Sequence, residues 1–315
     1  MTAGKKIFNY ILKFRMKKIY ILLLLSVVCI LFCSCGMGKN SLDKVFDAWE
    51  EENDPNIAIY DDRKNLVIVN GQTVSLQESL GKYYENIDQD LIVCVKDNKI
   101  YGVHAYNFLN KKNHETVDIY SFDILTNTFE VLYTSEFAPM ETGESKEYLS
   151  YTKACYNNGR ILMYDGARTV SYNIATRAVE ELKADDFVEP EVNFSIMPMY
   201  DDNGNRDYKS IIIKSNVEER VIDIEYMAQR HPYVQELVDI GIFDGIYGEI
   251  DPLRLFFDDY YVVNDKIYFV CRVLDNDGES NGLLFVYDYE NDQFTFIHHV
   301  FSMDYPKITV VPNES

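Results

Sequence analysis

Three residue patterns in this chain have the composition of a reactive site. Gly278-Glu279-Ser280-Asn281-Gly282 has the spacing that exposes a serine nucleophile where a strand turns sharply into a helix. Its neighbours argue for another setting. Asp275-Asn276-Asp277 precedes it and Leu283-Leu284-Phe285-Val286-Tyr287 follows, a polar turn and then a strand, so Ser280 is expected in a hairpin. Asp275–Glu279 and Asp201–Asp207 each gather oxygen donors round a glycine, as calcium loops do. In neither does the twelfth position supply a carboxylate, since it falls on Val286 and Ile212. Asp, Asn and Gly are equally the residues of ordinary hairpin turns. The histidines are His104, His114, His231, His298 and His299, with no His-Glu-x-x-His among them. On a strand His298 and His299 would point to opposite faces and could not easily share a metal. With 51 acidic residues some carboxylates must meet by chance, so spacing neither indicates nor excludes glycan hydrolysis. No glycine-rich phosphate loop or dinucleotide fingerprint is present. The sequence therefore assigns no catalytic residue and no metal ligand, and no cofactor is expected.

The cysteines carry more specific information. Lys5, Lys6, Lys13, Arg15, Lys17 and Lys18 precede a nearly unbroken apolar run from Ile19 to Phe32, and no acidic residue occurs before Asp43. The run is shorter than the ~20 residues a spanning helix needs and fits the core of a secretory leader. It ends in Phe32-Cys33-Ser34-Cys35-Gly36. This resembles the lipobox of bacterial lipoproteins, where an apolar residue and two small ones precede an obligatory cysteine. The resemblance implies a signal peptide over residues 1–34, cleavage before Cys35, and a lipid on the Cys35 sulfur. Phe32 departs from the usual leucine, and a rival register on Cys33 would place the bulky Phe32 next to the cleavage point. Met16 begins a second complete leader of the same form and is a candidate start. Cys35–Asn40 reads as a short tether. The chain is thus expected on the extracytoplasmic face of a membrane, held by Cys35.

From Cys35 to Ser315 the 281 residues hold 24 basic against 51 acidic side chains, a net charge near −27. Such a domain repels nucleic acid and anionic lipid headgroups, so neither is expected as a partner. Cys94, Cys155 and Cys271 are far apart, odd in number and form no Cys-x-x-Cys, which argues for buried thiols, with one disulfide left open. Tyrosine is abundant, 25 residues with 18 Phe, and favours strands.

The elements that would position any site are mostly strands. Short helices are expected near 41–50, within an N-terminal helical segment at 41–54, and near 232–240, starting at Pro232 and capped at Gly241. Elsewhere a unit recurs: a polar turn, a Lys/Arg-Ile-aromatic strand, a loop, a strand, a turn and another strand. Asp97–Tyr133, Asn157–Leu182 and Asn264–His298 show it clearly, and Ile57–Leu76 and Val192–Tyr226 more weakly. The second turns fall near residues 70, 126, 176, 217 and 291, spacings of roughly 56, 50 and 41 residues and a final 74 that contains the Pro232 helix. Repeats of that length resemble β-propeller blades. An all-β, propeller-like domain over 55–315 is expected, with about five blades, although six or seven also suit the spacing. A segment near Lys307–Val311 would complete the first blade. A β-sandwich or a two-domain β protein is the competing architecture.

On this reading the protein is a membrane-tethered, non-enzymatic binding or interaction domain for a glycan, peptide or protein. Tyr83, Tyr84, Tyr148, Tyr151, Tyr260 and Tyr261 would supply either a stacking surface or core between blades. An exported hydrolase with axial carboxylates, and an accessory subunit or sensor of an envelope complex, are the alternatives.

Overall fold

The computed structural model describes residues 41–61, 64–82, 90–106, 115–137, 153–164, 168–240, 255–274, 280–302 and 308–314. Cys35 and its leader, Tyr83, Tyr84, Tyr148, Tyr151, His114, Gly241 and Asp275–Glu279 lie outside these residues. Met1–Trp49 and Glu50–Ser315 cluster as separate units. In the first, the helix covers only Ser41–Phe46 and closes with Ala48 and Trp49 N–H donating to the carbonyls of Val45 and Phe46, both at 3.1 Å. The expected span of 41–54 is too long. Glu50, Glu51 and Glu52 would crowd the negative end of a helix dipole, and Pro55 disfavours helix in the residue before it.

Glu50–Ser315 is an all-β, propeller-like domain whose described strands group into five blades, the first two continuous as one eight-stranded sheet. Blade 1 contains β1 (Ile57–Asp61), β2 (Leu66–Val69) and β3 (Gln72–Ser75), joined on the inner side by the last strand, β19 (Ile308–Glu314). Blade 2 runs β4 (Asp90–Lys96), β5 (Lys99–Tyr106), β6 (Glu115–Asp123) and β7 (Thr128–Phe137). Blade 3 runs β8 (Lys153–Asn157), β9 (Arg160–Tyr164), β10 (Thr169–Asn173) and β11 (Val179–Leu182). Blade 4 has three strands, β12 (Ser195–Tyr200), β13 (Arg206–Lys214) and β14 (Glu219–Asp223). Blade 5 runs β15 (Leu255–Val263), β16 (Lys266–Leu274), β17 (Ser280–Asp288) and β18 (Gln293–Ser302). The expected closure is present, shifted slightly towards the C-terminus: β19 pairs antiparallel with β1 from Asp61↔Ile308 to Ile57↔Pro312. It also touches β4 in parallel at Asn313↔Val95 and Glu314↔Lys96.

Local chemistry explains the hairpins. Asn70-Gly71, Asp97-Asn98, Asn158-Gly159 and Asn264-Asp265 all have two successive positive φ angles. That is the backbone of the type I′ turn, whose twist matches the flanking strands and which Asn, Asp and Gly tolerate best. The turns that join first to second strands mark one end of the domain, called the lower end below. At the upper end β4, β8, β15 and β19 begin.

The blades pack face to face through apolar side chains. Ala58, Val67, Ile92, Val95 and Tyr120 join blades 1 and 2; Val93, Val103, Ile161 and Tyr172 join blades 2 and 3; Ile59, Val270, Leu284, Ile308 and Val310 join blades 5 and 1. At Gly102 an added Cβ would lie 2.4 Å from the Tyr120 hydroxyl, so the bare glycine makes room for that ring. Blades 4 and 5 meet through β13 and β15. There Arg220 donates to the Tyr287 hydroxyl at 2.9 Å and the Tyr289 carbonyl at 2.8 Å. Among the described residues, no strand of blade 3 packs closely on a strand of blade 4.

The second expected helix is Pro232–Asp239, between blades 4 and 5. His231 is its N-cap, with Nδ1 accepting from Tyr233 N–H at 3.2 Å. Burial lowers its pKa to about 4, so the neutral ring that capping requires persists at neutral pH. Ile240 occupies the C-cap. No helix among the described residues is long and apolar enough to cross a membrane.

Candidate functional site

The first strands β4, β8, β15 and β19 run side by side from the upper to the lower end. Between them lies a cavity of about 640 Å³. Its lining includes Leu91–Val93 of β4, Lys153–Tyr156 of β8, Tyr260–Val263 of β15 and Thr309–Pro312 of β19. The fifth side is formed by Phe187, Glu189, Pro190 and Val192, which precede β12 and belong to no sheet.

This strap stands where blade 4 should have its inner strand. At the upper end the Phe187 ring is 6.4 Å from that of Tyr164, the last residue of β9. At the lower end Asn193 Nδ2 donates to Asp265 Oδ1, in the β15–β16 turn, at 2.6 Å. The strap therefore follows the direction of the other inner strands without joining a ladder. Pro190 explains part of this, since a proline has no N–H to donate. The facing edge of β12 supplies the rest. Ile196 C=O on that edge accepts from the Tyr260 hydroxyl at 2.9 Å. Pro198, two residues on, falls on the same edge and offers no donor.

The neighbouring side chain performs the mirror task. Tyr261 donates to Ile308 C=O at the start of β19, at 2.8 Å. Alternation along β15 sends Tyr260 to blade 4 and Tyr261 to blade 1. Both tyrosines line the cavity, but their hydroxyls are committed to clamping adjacent blades.

The charge in the cavity is sparse. Lys153 and Glu189 are the charged side chains among its lining residues. Burial raises the Cys155 thiol to about 11, helped by Glu189, so it is protonated at neutral pH and a poor nucleophile. Cys94, Cys155 and Cys271 are all free thiols, and Cys155 is the partly exposed one.

Below the main cavity a second space of about 230 Å³ opens at the lower mouth, with Glu191, Asp265 and Glu314 on its walls. Two of these carboxylates are already engaged. Glu314 accepts from Lys96 Nζ at 2.6 Å and the Tyr156 hydroxyl at 2.5 Å, and Asp265 holds Asn193. Burial pushes the Glu314 carboxyl up, but Lys96 and Tyr156 outweigh it and hold the group below the usual range. Among the described residues no cluster of three or more His, Cys, Asp or Glu is placed to hold a metal ion.

The sequence candidates are dispersed. Ser280 opens β17, so the strand-to-helix elbow is absent. Asp201 closes the β12–β13 hairpin through its own neighbours, its Oδ1 accepting from Asn203 N–H at 2.9 Å and Asn205 N–H at 2.8 Å. His298 Nδ1 meets Glu51 Oε1 at 2.9 Å, whereas the His299 ring reaches Asn281 Oδ1 at 3.1 Å. The strap was missed by sequence reasoning. Its signal was available in Val188-Glu189-Pro190-Glu191-Val192, an apolar-polar alternation broken by proline in the one repeat with only three strand-like runs.

No family model and no curated protein matches this chain. Among solved structures, TolB from Acinetobacter baumannii is similar at 14% identity, with 83% of this chain and 67% of that chain covered and a TM-score of 0.31. The tricorn protease is similar at 14% identity, with 74% of this chain and 22% of that chain covered and a TM-score of 0.22. Scores so low carry no argument about function, and the architecture rests on the blades themselves.

Proposed function

We propose that this protein is an exported, lipid-anchored binding protein whose axial cavity takes a compact ligand with a largely apolar body. The observation that carries the binding role is the cavity of about 640 Å³, which falls within the range of about 300–1,000 Å³ usual for small-molecule sites. Its lining is aliphatic and aromatic, with one ammonium and one carboxylate to orient a ligand. The pair of convergent carboxylates that glycan hydrolysis would use is not found among those residues. Strand addition by an extended peptide is disfavoured, because Tyr260, Tyr261, Pro198 and Pro312 blunt the inner strand edges.

The location follows from the leader. Cys35 in its lipobox-like setting supplies the anchor, and the acidic domain has no electrostatic affinity for an anionic bilayer.

Binding is tested with the neutral apolar dye Nile red. Saturable one-to-one fluorescence enhancement is expected, and Thr309→Trp, which fills the cavity from β19, should abolish it while leaving the thermal midpoint within a few degrees. Equal enhancement in both proteins would place the dye elsewhere and defeat the reading. Anchoring is tested by fractionating cells that express Cys35→Ser. Release of the variant from the membrane is expected, and full retention would remove the anchor.

A further inference from the structure

Val188–Asn193 are six consecutive exposed residues at an inner blade position. Over the same stretch of the axis β4 and β19 are mainly buried. The reason is geometric. One side of the strap faces the cavity, and the other faces the seam between blades 3 and 4, where, among the described residues, no strand of one blade packs closely on a strand of the other. Blade 4 presents an apolar row to that seam, because Met197, Ile212 and Val221 are cross-strand neighbours on the face turned away from blade 5. Met197 and Val221 are 38% and 47% exposed, although both lie mid-strand.

We propose that Phe187–Asn193 is a movable wall of the axial cavity, swinging towards the seam between blades 3 and 4 to admit ligand. This rests on the cavity being the binding site. Among the described residues three polar or ring contacts hold the strap: the Phe187–Tyr164 ring contact, the Asn193–Asp265 hydrogen bond, and the Cys155 thiol 4.0 Å from the Val188 carbonyl. Displacing it breaks no ladder. On the β12 edge behind it, the Ile196 carbonyl is already occupied by Tyr260. Segments with few buried contacts and no ladder open at low free-energy cost.

The test uses Cys155, which lies behind the strap, as a reporter in the full chain. Asn193→Cys with Asp265→Cys joins two side chains already in contact and locks the lower end when oxidised. Alkylation of Cys155, followed by peptide mass spectrometry, should slow about tenfold on oxidation and recover on reduction. The buried thiols of Cys94 and Cys271 should stay unreactive in both forms. Asn193→Ala, which frees the same anchor without a crosslink, should instead speed Cys155 alkylation several-fold. Unchanged rates in the locked form or in Asn193→Ala would overturn the proposal. No ligand enters this test, so its failure leaves the cavity reading standing, whereas absence of Nile red binding would remove that reading with the alkylation result intact.

Discussion

Blades 1 and 4 fill their inner positions with segments distant in sequence from each other, and only one of the two becomes a strand. β19, Ile308-Thr309-Val310-Val311-Pro312-Asn313-Glu314, and the strap, Phe187-Val188-Glu189-Pro190-Glu191-Val192-Asn193, each contain one proline. The difference lies in where the missing N–H falls. Asn313 N–H donates to Asn56 C=O at 2.8 Å, so Pro312 points its nitrogen at the free edge and the ladder to β1 continues. β19 also brings Ile308, Val310 and Val311, all buried, whereas the strap brings two exposed glutamates. Hydrophobic burial drives the first segment into the sheet. The second buries little and faces an edge on which Pro198 offers no donor, so it remains a wall.

The comparison can be broken most severely at Val310. It is 4% exposed in the core shared by blades 5 and 1. Val310→Asp should cost about 4 kcal/mol or more, lowering the thermal midpoint by roughly 10 °C or unfolding the domain. A loss below about 1 kcal/mol would mean that β19 does not close the ring.

The next largest effect concerns the segment that leads into β1. Asp54 accepts from Lys266 Nζ at 2.8 Å and from the Tyr268 hydroxyl at 2.9 Å, tying it to blade 5. Burial raises its carboxyl, but Lys266, Asn56 and Tyr268 together hold it below its ordinary value of 3.8. A depressed carboxylate contributes stability that is complete above the unfolded-chain value and lost as pH falls through the folded one. Lys266→Met should therefore cost about 2 kcal/mol at neutral pH. Asp54→Asn should flatten the stability profile below pH about 4. An unchanged acid limb in Asp54→Asn would remove this tie from the account.

Smaller effects separate the two tyrosine clamps. Tyr261→Phe and Tyr260→Phe each delete one hydrogen bond to a neighbouring blade, with an expected cost of about 1 kcal/mol. Urea unfolding should show the Tyr261 loss as a shift of the whole transition, because blade 1 closes the ring. The smallest change belongs to the strap. Val192 is 49% exposed, and Val192→Asp should alter stability by no more than about 0.5 kcal/mol.

Much of this fold was legible because its signals are local. Type I′ turns announce themselves through Asn, Asp and Gly, and all five second hairpin turns fall where the repeat places them. The Pro232 helix and the final closing strand were readable for the same reason. The N-terminal helix was overestimated, since an apolar stripe does not reveal how early an acidic run and a proline will end it. The strap could not be read as a wall, because its role depends on the β12 edge that it faces. Tyr260 and Tyr261 were visible as strand aromatics, but their partner carbonyls lie on other blades. Cys35 stands on sequence pattern alone.

Amide hydrogen exchange across the inner positions tests the central contrast most directly. The account predicts that Val188–Asn193 exchange almost without protection, apart from Pro190, which has no amide hydrogen, while Ile92–Val95, Tyr261–Val263 and Thr309–Val311 are slowed by orders of magnitude. Protection of the strap equal to that of β19 would mean that blade 4 has a fourth, laddered strand, and the movable wall would be contradicted.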